Sequence, residues 1–236
     1  MGGIVGYGTA GSTLENCTTK GGTLKGHKYV GGIAGYLEYD ASMGNMILDG
    51  KGAENKTDII AYEYAGGILG ANASLDNSRE PLESYEEARI VQNWTNKGIV
   101  VSFVGYAGGI TVFNTGKLVD CTSTKDLTVA DGETQIAAIR NWINYDTEGC
   151  TGGLAGYNNG LVKAASGKTN GDIVVGTNYV GGLIGYNDAD GVLDLSKYNR
   201  KGGYVDGDAF VGGLIGCNVS DTVFSGTEEA SADKLL

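Results

Sequence analysis

The chain reads Tyr179-Val180-Gly181-Gly182-Leu183-Ile184-Gly185-Tyr186-Asn187 in the clearest copy of a phrase that recurs along the sequence. The other copies, some of them looser or shortened, begin at Gly2, Tyr29, Tyr64, Tyr106, Cys150 and Phe210. Self-similarity at a regular spacing is the signature of a repeat protein. The fold therefore depends on how successive copies stack on one another.

The repeat has a period of about 30 residues, because the second glycines of successive pairs are separated by 29, 35, 42, 44, 29 and 31 residues. Residues 135–139 look like a decayed copy with Ala138 in place of glycine, so we expect the interval of 44 to hold one regular repeat and an extra piece. Three short β-rich pieces per unit fit one coil of a parallel β-solenoid. We expect an all-β, right-handed β-helix of about seven to eight coils, forming a single domain over residues 1–236.

The composition agrees with such a fold and argues against some classes of partner. The chain contains 42 glycines and 1 proline, and 41% of its residues are hydrophobic, which is too many for a disordered glycine-rich linker. We expect the glycines to lie at strand corners that need positive φ.

The net charge of −11 argues against nucleic acid or an anionic membrane as partner, and no apolar run is long enough for a membrane span. Because Met1 stands where other copies carry Val or Ala, we interpret the chain as a segment of a longer protein with flanking domains.

Aligned copies predict columns of side chains that stack at the strand spacing of about 4.8 Å. An inward aliphatic column comprises Leu14, Ile47, Val91, Leu118, Leu161, Val192 and Val223. A second inward column comprises Cys17, Gly50, Trp94, Cys121, Ala164 and Leu195. A turn column of asparagines comprises Asn72, Asn114, Asn158, Asn187 and Asn218, which suits left-handed turns or a ladder of side-chain amides.

Two aromatic columns flank the glycine pairs, one before and one after. One comprises Tyr29, Tyr64, Tyr106, Tyr179 and Phe210, and the other comprises Tyr7, Tyr36, Phe113, Tyr157 and Tyr186. Such rows either stack on one another to stabilise the coils or, where exposed, stack on sugar rings. The second use makes Tyr36, Tyr157 and Tyr186 candidate ligand-binding residues.

Residues 73–89 form the longest departure from the repeat and contain the only proline. Ser78 can cap a short helix with Pro81 in its first turn, so we expect one inserted loop or helix. Insertions in repeat proteins either are tolerated surface excursions or carry the binding site. Tyr85 in this insertion is the fourth candidate ligand-binding residue.

The phrases VGGLIGYN, VGGIAGY, AGGILGAN and GGLAGYNN resemble the GLUG motif, a repeat of bacterial surface and secreted proteins. The resemblance covers most of the chain. It implies a β-solenoid, a secreted or cell-surface location, and a role in adhesion or as repeats of larger proteins, including some IgA-specific metallopeptidases. It supplies no catalytic residues.

Few residues point to catalysis or metal binding. His27 is the only histidine, and neither HExxH nor CxxC occurs, which argues against a zinc peptidase. The four cysteines fall in columns as small buried residues, and Cys17 and Cys121 lie too many coils apart for a disulfide. Residues 187–191 suggest weak calcium binding at most, because an EF-hand would need other ligands.

The sequence therefore favours a non-catalytic bacterial module, extracellular or on the cell surface. It would act as an adhesive or spacer scaffold that binds a host or microbial glycan or a surface protein. The alternative is a carbohydrate-active β-helix enzyme acting on an extracellular polysaccharide, whose carboxylates would have to converge on one groove. The acidic residues nearest to such a site are Asp188, Asp190, Asp194, Asp206 and Asp208.

Overall fold

The computed structural model of the protein describes residues 1–9, 11–38, 46–73, 89–124, 139–141, 149–201, 203–221 and 227–229. These residues form 31 short strands and no helix. All pairings between the strands are parallel, and each joins a strand to its counterpart one repeat before or one repeat after it. The chain is thus a parallel β-solenoid, as the repeat predicts.

The strands divide into coils. The first coil contains β1 Val5–Gly8, β2 Thr13–Glu15, β3 Thr23–Gly26 and β4 Val30–Gly31. The second contains β5 Ala34–Glu38, β6 Met46–Asp49, β7 Glu54–Asn55, β8 Asp58–Ala61 and β9 Tyr64–Gly66. The third contains β10 Leu69–Ala73, β11 Arg89–Gln92, β12 Thr95–Asn96, β13 Val100–Ser102 and β14 Tyr106–Gly108. The fourth contains β15 Thr111–Asn114, β16 Lys117–Val119, β17 Thr122–Ser123, β18 Ile139–Asn141 and β19 Cys150–Gly152.

The remaining coils follow the same order. The fifth contains β20 Ala155–Asn158, β21 Leu161–Lys163, β22 Lys168–Asn170, β23 Val174–Val175 and β24 Tyr179–Gly181. The sixth contains β25 Ile184–Asn187, β26 Val192–Asp194, β27 Tyr198–Lys201, β28 Val205–Asp206 and β29 Val211–Gly212. The seventh begins with β30 Ile215–Asn218 and β31 Thr227–Glu229.

Each full coil has five sides, which we number in chain order. Side one is a sheet of seven strands, and sides two, four and five are sheets of six. Side three consists of two sheets of three strands, and in the first coil it is reduced to a bridge between Thr19 and Asn55. The prediction of three β-rich pieces per coil is therefore wrong, because two of the pieces each divide into two strands, as residues 179–187 divide into β24 and β25.

The interval of 44 residues is a single coil. Strand β14 pairs directly with β19, and Ile139 lies in β18 on side four, opposite Val100. The interpretation of residues 135–139 as a decayed glycine-pair copy is therefore wrong for Ile139, and residues 135–138 lie outside the described residues.

The insertion predicted at residues 73–89 begins and ends in strands, because Ala73 lies in β10 and Arg89 lies in β11. Residues 74–88, where the helix was predicted, are outside the described part of the chain.

The aliphatic column on side two was predicted with a register error. Its inward members are Leu14, Leu48, Val91, Leu118, Val162 and Leu193. Ile47, Leu161 and Val192 each lie one residue earlier and are only half-buried. Successive side chains of a strand point to opposite faces, so a slip of one residue turns a side chain outward. Two adjacent aliphatic residues at each of these places made the two registers look equal.

The second inward column contains Ala53 in place of the predicted Gly50. Thr95 pairs with Glu54, so Trp94 lies opposite Ala53, and Gly50 belongs to an added turn that ends at Gly52. The Trp94 side chain is fully buried, and its Nε1 donates a hydrogen bond to the carbonyl oxygen of Leu48 at 3.0 Å. Its indole covers Gly50 where a Cβ would otherwise lie.

The asparagine column is confirmed as a ladder of amides from Asn114 to Asn218, while the Asn72 side chain lies outside the described part of the structure. Asn114 donates to Asn158 at 2.7 Å, Asn158 to Asn187 at 2.6 Å, and Asn187 to Asn218 at 2.7 Å. Asn114, Asn158 and Asn187 are fully buried. Each amide bonds its neighbours and nearby backbone, so these polar groups can be buried without an unpaired donor or acceptor.

A second polar ladder runs inside side three. It passes from Thr19 through Asn55, Asn96 and Ser123 to Asn170. The sequence did not predict it, because its members differ in type. It lies against the glycine pairs: a Cβ added at Gly67 would collide with Asn96.

The glycine pairs are required by close packing, and the expectation of positive φ is wrong for them. None of the pairs is among the glycines with positive φ. A Cβ at the first glycine of a pair, such as Gly181, would collide with the carbonyl oxygen of the residue three positions later. At the second glycine, such as Gly182, it would collide with the carbonyl of the matching glycine in the next coil.

Among the described residues, none belongs to a helix that is long and apolar enough to cross a membrane.

Replacing Gly182 by alanine tests this explanation with the smallest possible side chain. The added methyl group would collide with the Gly213 carbonyl and with the Arg200 side chain. We expect a loss of about 3 kcal/mol in the free energy of unfolding, as in overpacked cores. Gly167→Ala is the matched control, because a Cβ there meets nothing within 4 Å. Equal losses in chemical denaturation of the two variants would contradict the explanation.

The amide ladder makes a second prediction. Asn158→Ala leaves the Asn114 donor and the Asn187 acceptor facing a gap, and we expect it to cost about 3 kcal/mol, since each unsatisfied buried group costs about 1–3 kcal/mol. Asn218→Ala removes an exposed end of the ladder and should cost clearly less. Denaturation curves that rank the two variants equally would show that the ladder does not stabilise the stack.

Candidate functional site

The two predicted aromatic columns merge into one aromatic ribbon. We use this name for ten rings in mutual contact, which belong to Tyr7, Tyr29, Tyr36, Tyr64, Tyr106, Phe113, Tyr157, Tyr179, Tyr186 and Phe210. Neighbouring ring centroids are 5.1 to 6.0 Å apart, within the range of favourable aromatic pairs. The ribbon follows the seam between sides five and one along the solenoid.

The columns interlock because a ring of one column meets a ring of the other edge-on. Tyr29 meets Tyr36 at an interplanar angle of 68°, and Tyr179 meets Tyr186 at 69°. Where Ala71 replaces a ring, Tyr64 reaches past it to contact Phe113. A missing ring in one column is thus bridged by the other.

The ribbon contains three of the four predicted ligand-binding tyrosines. Tyr36 is 7% exposed and Tyr157 is 6% exposed, while Tyr186 is half-buried. Neighbouring rings cover Tyr36 and Tyr157, which leaves little of either for a ligand to contact. Burial raises the pKa of Tyr36 to about 12 and also raises the pKa of Tyr186. Tyr85 lies outside the described residues.

Two phenol–carboxylate pairs occur at the edge of the ribbon. The Tyr7 hydroxyl donates to Glu38, and the Tyr157 hydroxyl donates to Asp188. In both pairs the carboxylate lies two residues after the ribbon tyrosine of the next coil. The bond to Glu38 raises the pKa of Tyr7, because it is made by the protonated phenol. Asp188 is thus part of the ribbon's hydrogen bonding.

The other acidic candidates lie on separate turns and strands. Asp194 accepts a hydrogen bond from the Ser196 hydroxyl at 2.7 Å, and Asp206 lies in β28 on another side of the coil. Within the described ranges, no group of three or more histidine, cysteine, aspartate or glutamate residues could hold a metal ion. In the candidate calcium loop, the Asn187 amide oxygen accepts from Asn158 inside the ladder.

The four cysteines occupy the predicted columns as free thiols. Cys150 pairs with Tyr179 and Cys217 pairs with Tyr186, so they replace ribbon rings as the alignment of repeats indicated. Cys121 is fully buried beside Trp94, and burial raises the pKa of its thiol to about 12. A thiol with so high a pKa is a poor nucleophile.

A different group of rings is open to solvent, and sequence reasoning missed it. We call it the corner row: His27, Tyr62 and Phe103, which follow strands β3, β8 and β13 on successive coils. The exposed fraction is 69% for the His27 side chain, 49% for Tyr62 and 44% for Phe103. Backbone hydrogen bonds fix the register, since Tyr62 donates to Gly26 at 3.0 Å and Phe103 donates to Ala61 at 3.1 Å.

Polar groups flank the corner row. The Glu63 carboxylate lies 2.9 Å from Lys28 Nζ and 3.5 Å from His27 Nδ1. The His27 and Tyr62 rings are 4.9 Å apart at an angle of 34°. Exposed rings beside fixed hydrogen-bonding groups can bind a ligand that has an apolar face and a polar edge.

The signal for this row was weak in the sequence. His27 and Tyr62 each lie four residues before the first glycine of a pair, but Phe103 lies five before Gly108. The extra residue is accommodated at Gly105, which has a φ of 104°. A count from the glycine pairs therefore misaligns Phe103 with the other two rings.

Comparison with protein-family models, curated proteins and solved structures finds no match to this chain.

Proposed function

We propose that the protein is a non-catalytic repeat module that acts as an adhesive or spacer scaffold and binds a glycan at the corner row. We place it outside the cell or on a bacterial cell surface, as part of a longer protein. The resemblance of its repeats to the GLUG motif supports this location. The exposure of aligned rings on adjacent coils is the single observation that carries the binding proposal.

The contrast between the two sets of rings supports this choice of site. Most rings of the aromatic ribbon are buried or half-buried against one another, so their apolar surface already contributes to the stability of the stack. The Tyr62 and Phe103 rings remain close to half exposed. Exposed aromatic residues that recur at one place on a rigid support indicate a binding surface more than a stability element.

The chemistry of the corner row fits a sugar. The apolar face of a sugar ring packs on an aromatic ring, while its hydroxyl groups need hydrogen-bond partners at the edge. Glu63 provides an acceptor, and Lys28 and His27 provide nitrogen atoms nearby. Because the row is fixed by backbone bonds between coils, binding needs little ordering of the protein.

The test compares Tyr62→Ala/Phe103→Ala with Phe210→Ala on a panel of neutral host and microbial glycans. Phe210 is the matched control, because it is 63% exposed and lies at the end of the ribbon, far along the chain from the corner row. We expect the double variant to bind at least about tenfold more weakly, the equivalent of about 1.4 kcal/mol, and the control to bind as wild type.

The same incubations are assayed for newly formed reducing ends. Binding without release is the expected result. Release of reducing ends by the purified chain would overturn the proposal in favour of an enzyme. Unchanged binding of the double variant would overturn the corner row as the site.

A further inference from the structure

Three lysines form a column on the outer surface of side three. Lys56 donates its backbone amide to Thr19 at 3.2 Å, and Lys97 donates to Asn55 at 2.8 Å, so Lys20, Lys56 and Lys97 occupy equivalent positions of successive coils. Their backbones are separated by the strand spacing of about 4.8 Å. We call these three residues the lysine row.

Like charges directly opposite each other in a sheet are destabilising, so the row needs compensation. Glu54 supplies a part of it, with its carboxylate 2.6 Å from Lys97 Nζ and 3.2 Å from Lys56 Nζ. Hydrogen bonds from these two lysines lower the pKa of Glu54, which keeps it ionised. None of the ion pairs between described residues involves Lys20. Glu54 therefore contacts two of the three cations, in a chain whose net charge is −11.

A groove opens beside the unpaired end of the row. It has a volume of about 520 Å³ and is lined by Thr18, Lys20, Gly52, Glu54 and Lys56, among others. It exists because side three of the first coil is only a bridge at Thr19, and because the turn at residues 50–52 has no counterpart in the first coil. The cationic end of the row thus faces a concave surface.

We propose that this groove binds an acidic sugar unit of a glycan through its carboxylate or sulfate group. Lys20 and Lys56 supply the positive charge, Thr18 supplies an exposed hydroxyl, and Glu54 offers an acceptor for a sugar hydroxyl. The row extends along the solenoid axis at the strand spacing of about 4.8 Å, so an acidic oligosaccharide that lies along this axis can meet more than one lysine.

The overall charge favours such a ligand over a nucleic acid. A continuous polyanion would experience the field of the whole acidic chain, whereas a short acidic unit interacts mainly with the nearest lysines. The groove lies on a different side of the coil from the corner row. This inference therefore goes beyond the proposed function and can hold or fail independently of it.

The test is calorimetric titration of the full chain with trigalacturonate, with a sulfated trisaccharide and with a neutral trisaccharide. We expect at least one acidic ligand to bind at least about tenfold more tightly than the neutral one. The ligand that binds identifies a carboxylate or a sulfate as the recognised group. Raising the ionic strength from about 0.05 M to about 0.5 M should abolish the difference, because the lysines are partly exposed and screened by salt.

Lys20→Gln/Lys56→Gln should bind the acidic ligand at least about tenfold more weakly than wild type. The double variant should keep the wild-type melting temperature, since both side chains are on the surface. Lys25→Gln is the matched control, an exposed lysine on side four that should change nothing. Equal binding of acidic and neutral ligands, no binding of either acid, or full binding by the double variant would each overturn the proposal. A failure of this proposal is told apart from a failure of the proposed function by Tyr62→Ala/Phe103→Ala, which tests the corner row alone.

Discussion

The structure depends on how closely successive coils approach at the glycine pairs. The amide of Gly67 donates to the carbonyl of Gly108, and the amide of Gly182 donates to that of Gly212, at 3.1 and 3.2 Å. No side chain fits between the coils there, which is why the repeat keeps two glycines at this corner. The close approach holds the strands before and after it in one register, so every other column of the solenoid follows from it.

Two kinds of ladder use that register in different ways. Inside, the amides of the asparagine column bond one another from coil to coil, and so do Asn55 and Asn96 of the mixed ladder. Outside, the aromatic ribbon covers the seam between sides five and one. Both ladders stabilise the stack and leave little for a ligand. The surfaces suited to binding are therefore the places where outward columns remain uncovered: the corner row and the lysine row.

The sequence predicted the features that recur with one residue type and failed where types were mixed or spacing changed. The phrase at residues 179–187 predicted the solenoid, the asparagine ladder and both aromatic columns, because identical residues recur at one position. Ile47 was placed inward because Leu48 is equally apolar, and the choice between them depends on pairing with the neighbouring coil. The corner row was missed because Gly105 adds one residue, and the second polar ladder was missed because it mixes threonine, serine and asparagine.

Amide hydrogen exchange measures whether the glycine corners are continuous hydrogen-bonded contacts between coils. Exchange of a buried, bonded amide needs local opening, whereas an exposed amide exchanges freely. We expect the Gly67, Gly109 and Gly182 amides to be protected up to the free energy of global unfolding, and the exposed Gly167 amide to exchange rapidly. Exchange of the three corner amides at the rate of Gly167 would contradict this expectation.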